Sequence, residues 1–111
     1  MPELFHITTR DAWAAAVAGG DHRPASLDDE GFVHLSYRDQ VVTTADRFYR
    51  GETDLVLLSI DPAVLVATLV VEDSYGHGKF PHLYGPLNLD AVTAVVDFPP
   101  DATGGFSLPM S

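Results

Sequence analysis

The sequence predicts an α+β fold, with a mixed, largely antiparallel split sheet of about six strands and two main helices in the first half of the chain. Both segments with helical spacing of apolar residues lie before residue 51, and the apolar runs after it follow one another as strands do. A doubly wound parallel sheet would instead show regular alternation of strands and helices.

The first helix is predicted over residues 11–18, which are rich in alanine, the strongest helix former. Thr8 or Thr9 is suited to cap its N-terminus, and Gly19-Gly20 is suited to end it. The second helix is expected to be capped by Ser36 and to end at Gly51. Its apolar stripe, at helical spacing, consists of Val41, Val42, Ala45, Phe48 and Tyr49.

Strands are expected wherever short apolar runs are bounded by turn residues. They cover residues 4–7, 32–35, 54–60, 66–72, 82–84 and 91–98. The run at 54–60 is almost continuously apolar, which predicts a central strand covered on both faces. Residues 23–27 are expected to be extended, residues 28–31 to form a turn, and residues 73–79 to form a polar loop.

The length of the chain indicates a single domain over residues 1–111. A chain of 111 residues can bury roughly 65% of its unfolded surface, which is enough for one modest core. That core is expected over about residues 4–99, with 100–111 as a loosely held tail. The absence of cysteine excludes a disulfide framework and a thiolate metal site.

The charge of the chain limits the classes of partner. A formal net charge of -10 opposes broad nucleic-acid binding, which needs clustered Lys and Arg. A small anionic ligand is still compatible with local arginines. Neither a secretory signal pattern nor an apolar run approaching ~18 residues is present. The expectation from these observations is a cytoplasmic protein without membrane partners.

Two segments share a similar six-residue motif. They are His6-Ile7-Thr8-Thr9-Arg10-Asp11 and His34-Leu35-Ser36-Tyr37-Arg38-Asp39. Because side chains two apart on a strand point the same way, each copy should place an imidazole and a hydroxyl on one face. Two interpretations are open: a polar cleft that binds a ligand, or helix-capping hydroxyls beside half-buried structural histidines.

Other polar residues carry weaker signals. His82 and Tyr84 form a third same-face pair, and their neighbours Pro81 and Gly85-Pro86 fix an irregular backbone, so they could line the cleft or form an aromatic cover over the core. Arg23 could reach a phosphate or form a surface ion pair. No close-spaced histidine pair is present, so no metal is expected. The sequence also has neither a nucleophile elbow nor a phosphate-binding glycine loop.

Six segments of the chain together resemble those of a small, mostly bacterial family, domain of unknown function 952. The matching segments span the chain from Leu4 to about Pro99. They are 4–8, 23–27, 30–36, 47–49, 54–62 and 80–87.

The resemblance implies a compact relative of the ADP-ribosyltransferase and RNA 2′-phosphotransferase superfamily, with a split mixed sheet and a cleft for NAD or ADP-ribose. In that superfamily a His-x-Thr/Ser element on the first core strand contacts the NAD ribose, and His6-Ile7-Thr8 is the candidate here. The late glutamate of the transferases has no clear equivalent, and Glu72 is the nearest candidate. Of the phosphotransferase arginines, only Arg23 is matched.

The expected function is therefore binding of NAD or an ADP-ribose-like ligand, with transfer or hydrolysis at the nicotinamide ribose and NAD as substrate. His34 and Tyr84 are the expected catalytic residues. The expected ligand-binding residues are His6, Thr8, Arg23, Ser36 and His82. Two alternatives stay open: a non-catalytic binding or interaction module on a degenerate transferase fold, and metal-dependent hydrolysis through His6, His34 and His82.

Overall fold

The computed structural model describes residues 2–109. The helices are α1 (Arg10–Gly19), α2 (Ala25–Glu30) and α3 (Val41–Phe48). The strands are β1 (Leu4–Thr9), β2 (Asp21–His22), β3 (Val33–His34), β4 (Ser36–Tyr37), β5 (Leu55–Ile60), β6 (Thr68–Asp73), β7 (Lys79–Tyr84), β8 (Leu87–Asn88) and β9 (Val92–Asp97). In this part of the chain, no helix has both the length and the apolar character to cross a membrane.

The strands form three sheets. One has four strands in the order β4-β1-β5-β9, another has three in the order β3-β7-β6, and β2 pairs with β8. Every pairing among the described residues is antiparallel. The α+β class is confirmed, but the expectation of a mixed sheet is wrong for the described residues, because paired strands run in opposite directions even where long segments of chain separate them, as between β1 and β5.

Strand β5 occupies the centre of the four-stranded sheet, as its apolar run predicts. Val56 and Leu58 face one apolar cluster, which also holds Leu83 of the three-stranded sheet. Leu55 and Leu57 face a second cluster, packed under helix α3. Because alternate side chains enter different clusters, the strand needs no polar face, which explains its near-continuous apolar sequence.

Helix α1 confirms the first prediction of a capped helix. The Thr9 hydroxyl accepts a hydrogen bond from the backbone N–H of Ala12 at 3.1 Å, which satisfies one of the free donors at the helix start. Gly20 ends the helix with a φ of 96°, a conformation that glycine adopts without steric cost. Thr8 is therefore free of the capping role.

Residues 25–27 are helical, so the expectation of an extended segment over 23–27 is wrong there. Helix α2 starts directly after Pro24 and ends at Gly31, whose N–H bonds to the carbonyls of Ser26 and Leu27. Proline before a helix and glycine after it are favourable at these positions. The helix has only six residues and none of them is fully buried, so it left no apolar period to detect in the sequence.

The chain crosses from one sheet to the other at Leu35. Strand β3 pairs with β7, whereas Ser36 in β4 pairs with Phe5 in β1. A short 3-10 turn over 38–40 then precedes α3, and the side chain of Gln40 accepts the N–H of Tyr37 at 3.0 Å. Ser36 therefore does not cap the second helix, contrary to expectation, because the strand continues past it.

Part of the segment expected to be a loosely held tail is packed against the core. The Phe106 ring stacks on Phe98 with centroids 5.0 Å apart, and its N–H donates to the Asp46 carboxylate at 2.8 Å. The Asp101 carboxylate accepts the N–H groups of Thr103 and Gly105, which closes a turn ahead of Phe106. Residues 110 and 111 of the expected tail lie outside the described residues.

Gly85, directly after β7, lies against the segment before β6. A Cβ added at Gly85 would stand 2.7 Å from the Cβ of Ala67. Gly85→Ala should lower the free energy of unfolding by about 1–3 kcal/mol, the usual cost of overpacking, in chemical denaturation. Adding Ala67→Gly should restore part of that loss. Gly19→Ala, which meets nothing within 4 Å, is the control, and an equal loss there would contradict the steric explanation.

Candidate functional site

A cavity of about 380 Å³ opens between helix α3, the sheet crossing at Leu35, and the loop that joins β6 to β7. Helix α3 contributes Phe48 to its wall, and Tyr49 follows at the helix end. Phe80 closes the cavity from β7. The cavity therefore has a largely apolar and aromatic wall, which is typical of small-molecule sites.

Part of the polar wall of the cavity is a network of three residues, Glu30, His34 and Tyr75. His34 donates from Nε2 to the Glu30 carboxylate, and the hydroxyl of Tyr75 donates to the other Glu30 oxygen at 2.6 Å. These donors, the Tyr75 hydroxyl first, hold the pKa of Glu30 below its usual range. Glu30 therefore stays ionised at neutral pH, and the same contact raises the pKa of Tyr75.

Tyr75 sits in a loop with an unusual backbone. Its φ of 51° lies in the left-handed region, which a non-glycine residue rarely adopts, and Gly76 beside it also has a positive φ of 81°. The Asp73 carboxylate accepts the Gly76 N–H at 2.8 Å. Such strain persists where surrounding contacts hold it and is common at ligand sites. Here the contact of Tyr75 with Glu30 fixes the loop over the cavity.

Five further polar residues line the cavity, and three of them are Ser36, Thr44 and Arg47. Ser36 is buried in β4, and the Thr44 hydroxyl is buried without a hydrogen-bond partner in residues 2–109. Arg47 is exposed, and no ion pair of the described residues includes it. The cavity thus offers hydrogen-bonding groups and a positive charge that the rest of the described chain does not occupy.

A second histidine–carboxylate–tyrosine cluster adjoins the first. The strand register pairs His82 with His34, and their ring centroids are 5.4 Å apart. His82 Nδ1 lies 2.8 Å from Glu72, whose same oxygen accepts the Tyr84 hydroxyl. The Tyr84 contact first, then His82, lowers the pKa of Glu72. Glu72, the candidate late glutamate, therefore serves this cluster and does not line the cavity.

His6 lies in the interior, paired with His22. Its Nδ1 is 2.7 Å from the carbonyl of His34, and its Nε2 is 3.1 Å from Nε2 of His22. Since a carbonyl only accepts, Nδ1 of His6 carries the hydrogen. Burial first, and His22 second, lowers the pKa of His6 to about 3, so the ring is neutral. Its Nε2 then accepts, and His22 is the donor.

The predicted site residues fall into three places. His34 and Ser36 line the cavity, whereas His82 and Tyr84 form the adjoining cluster. His6 and Thr8 face the opposite side of β1 from Ile7, which lines the cavity, so their direct contact with a ligand stays a prediction. Arg23 forms a surface ion pair with Asp21 at 3.2 Å, the second of its two interpretations.

Sequence reasoning did not assign Glu30, Tyr75 or Arg47 to the site. Glu30 stands four residues before His34, but an intervening glycine placed it in a predicted turn. Arg47 lies one helical turn after Thr44, which is the only local signal that both share a face. Within residues 2–109 no group of three or more His, Asp or Glu side chains could hold a metal, so His6, His34 and His82 do not form a three-histidine site.

Comparison with known proteins identifies relatives of the same fold. A family model described as "Protein of unknown function (DUF952)" matches residues 7–95. The crystal structure of protein CC0527 from Caulobacter crescentus has 38% sequence identity and a TM-score of 0.87, covering 96% of this chain and 94% of that chain. Its solution NMR structure, also 38% identical, gives a TM-score of 0.85 over 97% and 94%. None of the curated proteins matches the chain.

Acidification should destabilise the fold through the buried histidine pair. Unfolded His6 binds a proton below about pH 6.5, whereas the folded residue has a pKa of about 3. The unfolded state therefore holds more protons between these values, and the free energy of unfolding should fall as pH decreases, by at most about 1.4 kcal/mol per pH unit for this group. Urea denaturation between about pH 7 and pH 5 measures this slope above the range where ordinary carboxylates titrate.

Two substitutions separate this effect from general acid sensitivity. His6→Asn keeps an N–H donor near Nδ1 but removes the second ring nitrogen, so the slope should become shallower. His77→Asn changes an exposed loop histidine and should leave the slope as it is. The same slope for His6→Asn and the unchanged protein would show that the buried pair does not carry the pH dependence.

Proposed function

We propose a ligand-binding function for this chain, which belongs to the DUF952 family of proteins of unknown function. Its cavity binds a small nucleotide-like molecule, NAD or an ADP-ribose derivative. The observation that carries this proposal is that one cavity joins aromatic walls, an ionised carboxylate held by a histidine, and an arginine outside any ion pair in the described residues. An ADP-ribosyltransferase-like origin of the two antiparallel sheets is part of the same proposal.

Each part of the ligand has a matching part of the cavity. Tyr49 and Phe80 offer ring surfaces for a planar base or a nicotinamide. Glu30 accepts hydrogen bonds from ribose hydroxyls, and Arg47 binds a phosphate through its charged donors. A volume of about 380 Å³ is near the lower end of ligand pockets, so one nucleotide half lies inside and the remainder extends into solvent.

If the protein is an enzyme, Glu30 is the residue that supports the chemistry. Cleavage at the nicotinamide ribose develops positive charge on the sugar, and a fixed carboxylate nearby stabilises that charge. The lowered pKa of Glu30 keeps this carboxylate ionised. His34 and Tyr75 hold it in place, which limits the reorganisation needed during reaction.

One observation favours the non-catalytic alternative. Both Glu30 oxygens already accept a hydrogen bond, one from His34 and one from Tyr75. A carboxylate whose oxygens are both engaged stabilises less additional charge than a free one, since part of its charge is already compensated. A binding module that recognises the ligand without cleaving it fits this arrangement.

Binding should depend on Arg47 only when the ligand carries a phosphate. Arg47→Ala should weaken ADP-ribose binding about 10–100-fold, because hydrogen bonds to charged groups contribute ~1.5–3 kcal/mol. The same variant should bind nicotinamide riboside, which has no phosphate, as the unchanged protein does. Calorimetry measures both affinities.

Arg10→Ala is the matched control, because Arg10 is paired with Asp97 at 2.8 Å and lies outside the cavity wall. It should leave both affinities unchanged. Failure of ADP-ribose, NAD and nicotinamide riboside to bind the unchanged protein would reject the proposed ligand class.

Release of free nicotinamide from NAD separates the enzyme from the binding module. In an enzyme, Glu30→Gln should retain NAD binding and slow release about 100-fold or more, the size of effect known for a lost electrostatic group. Chromatography of the reaction mixture measures release. NAD binding without nicotinamide release, with and without added acceptor nucleophiles, would favour the non-catalytic module.

A further inference from the structure

His82 has a buried ring nitrogen that nothing in the described chain uses. The residue is 1% exposed. Its Nδ1 is held by Glu72 at 2.8 Å, but Nε2 has no hydrogen-bond partner in residues 2–109. Buried polar atoms are nearly always paired, so an unpaired one calls for an explanation.

The Glu72 contact determines what Nε2 can do. A carboxylate only accepts, so Nδ1 of His82 carries the hydrogen. In the neutral ring Nε2 then has a free lone pair, which makes it a hydrogen-bond acceptor. A carboxylate that binds one ring nitrogen of a histidine in this way orients the ring and leaves the other nitrogen to accept a proton or a hydrogen bond.

One face of the His82 ring is covered by Phe32. The ring of Phe32 stacks on the ring of His82, with centroids 4.0 Å apart and planes 16° apart, and it also touches the rings of His34 and Tyr84. Phe32 is buried but belongs to neither apolar core cluster. Its displacement would therefore uncover one face of His82 without removing a member of either cluster.

The position of His82 places it beside the cavity. In the order β3-β7-β6, Glu72 lies on one side of β7 and His34 on the other. Nδ1 is directed to Glu72, and the two ring nitrogens diverge, so Nε2 is directed away from that carboxylate. His34, the neighbouring ring, lines the cavity.

We propose that His82 forms an inner subsite of the cavity, in which Nε2 accepts a hydrogen bond from an uncharged donor of the bound molecule once the side chains that bury the ring, Phe32 among them, move aside. The donor is a sugar hydroxyl or a carboxamide N–H. A cation is disfavoured as the occupant, because within residues 2–109 no third metal-ligating side chain joins the group. This inference rests on the proposed function only for the identity of the ligand, not for the existence of the subsite.

The first test needs no ligand. Nitrogen-15 NMR of histidine-labelled protein, recorded where the His82 ring is neutral, should show a protonated Nδ1 and an unprotonated Nε2. A protonated Nε2 would overturn the proposal, because the nitrogen could not then accept. Assignment by comparison with His82→Asn, which retains a donor to Glu72 and lacks Nε2, identifies the signals.

The second test measures access. Diethyl pyrocarbonate acylates unprotonated imidazole nitrogens, and peptide mass spectrometry gives the rate at each histidine relative to exposed His77. Phe32→Ala should accelerate acylation of His82 about tenfold or more, since truncating the Phe32 side chain removes the ring that covers one face of His82. Phe32→Leu, which keeps most of the volume, serves if the alanine variant does not fold. An unchanged rate at His82 in the folded variant would overturn the proposal.

The third test adds the probes. ADP-ribose, which lacks the carboxamide, and nicotinamide, which lacks the sugars, are titrated separately into the unchanged protein. The Nε2 resonance should move toward the protonated range with the probe that carries the donor. Binding of both probes without any change at Nε2 would overturn the subsite. Failure of both to bind would reject the proposed ligand class, and the subsite would then stand on the tautomer and access results.

Discussion

The hydrogen bond from His6 to the carbonyl of His34 joins the two sheets at the point where the site is built. His6 belongs to β1 of the four-stranded sheet, and His34 belongs to β3 of the three-stranded sheet. The bond is 2.7 Å long and partly buried, so breaking it would leave a nitrogen of the buried His6 ring without its partner. It fixes the backbone of His34 one residue before the chain crosses between sheets. The side chains of His34 and Ser36 then line the cavity from a stretch of backbone that this bond holds in place.

This hydrogen bond links the two copies of the repeated six-residue motif. The two copies are not equivalent ligand contacts, because the first histidine supports the backbone of the second. His6 can do this only as a neutral ring with its hydrogen on Nδ1, which burial ensures by lowering its pKa to about 3. His22 completes the arrangement by donating to the remaining nitrogen. The positioning of the cavity wall thus depends on two uncharged imidazoles inside an acidic protein.

Local sequence signals were sufficient for elements that local chemistry determines. The capped helix α1 and the central strand β5 follow from alanine content, a threonine cap and an unbroken apolar run. The helix α2 was missed because six residues bury nothing completely. The sequence predicts a cap at Ser36 because sequence alone does not show a strand crossing between sheets. Glu30 and Tyr75 are 45 residues apart and meet only through tertiary structure, so no local pattern could have paired them.

The placement of charge in the cavity constrains the orientation of an anionic ligand. Glu30 is kept ionised by its donors, so a phosphate beside it would meet repulsion in a partly enclosed space. Arg47 lies in the same wall and is not compensated by a carboxylate within the described residues. Under the proposed function, the phosphate of a nucleotide is therefore expected at Arg47 and its sugar toward Glu30 and His34. In that orientation the sugar would lie on the side of the cavity formed by His34, whose ring adjoins His82, so the proposed subsite and the electrostatics of the cavity concern the same part of the ligand.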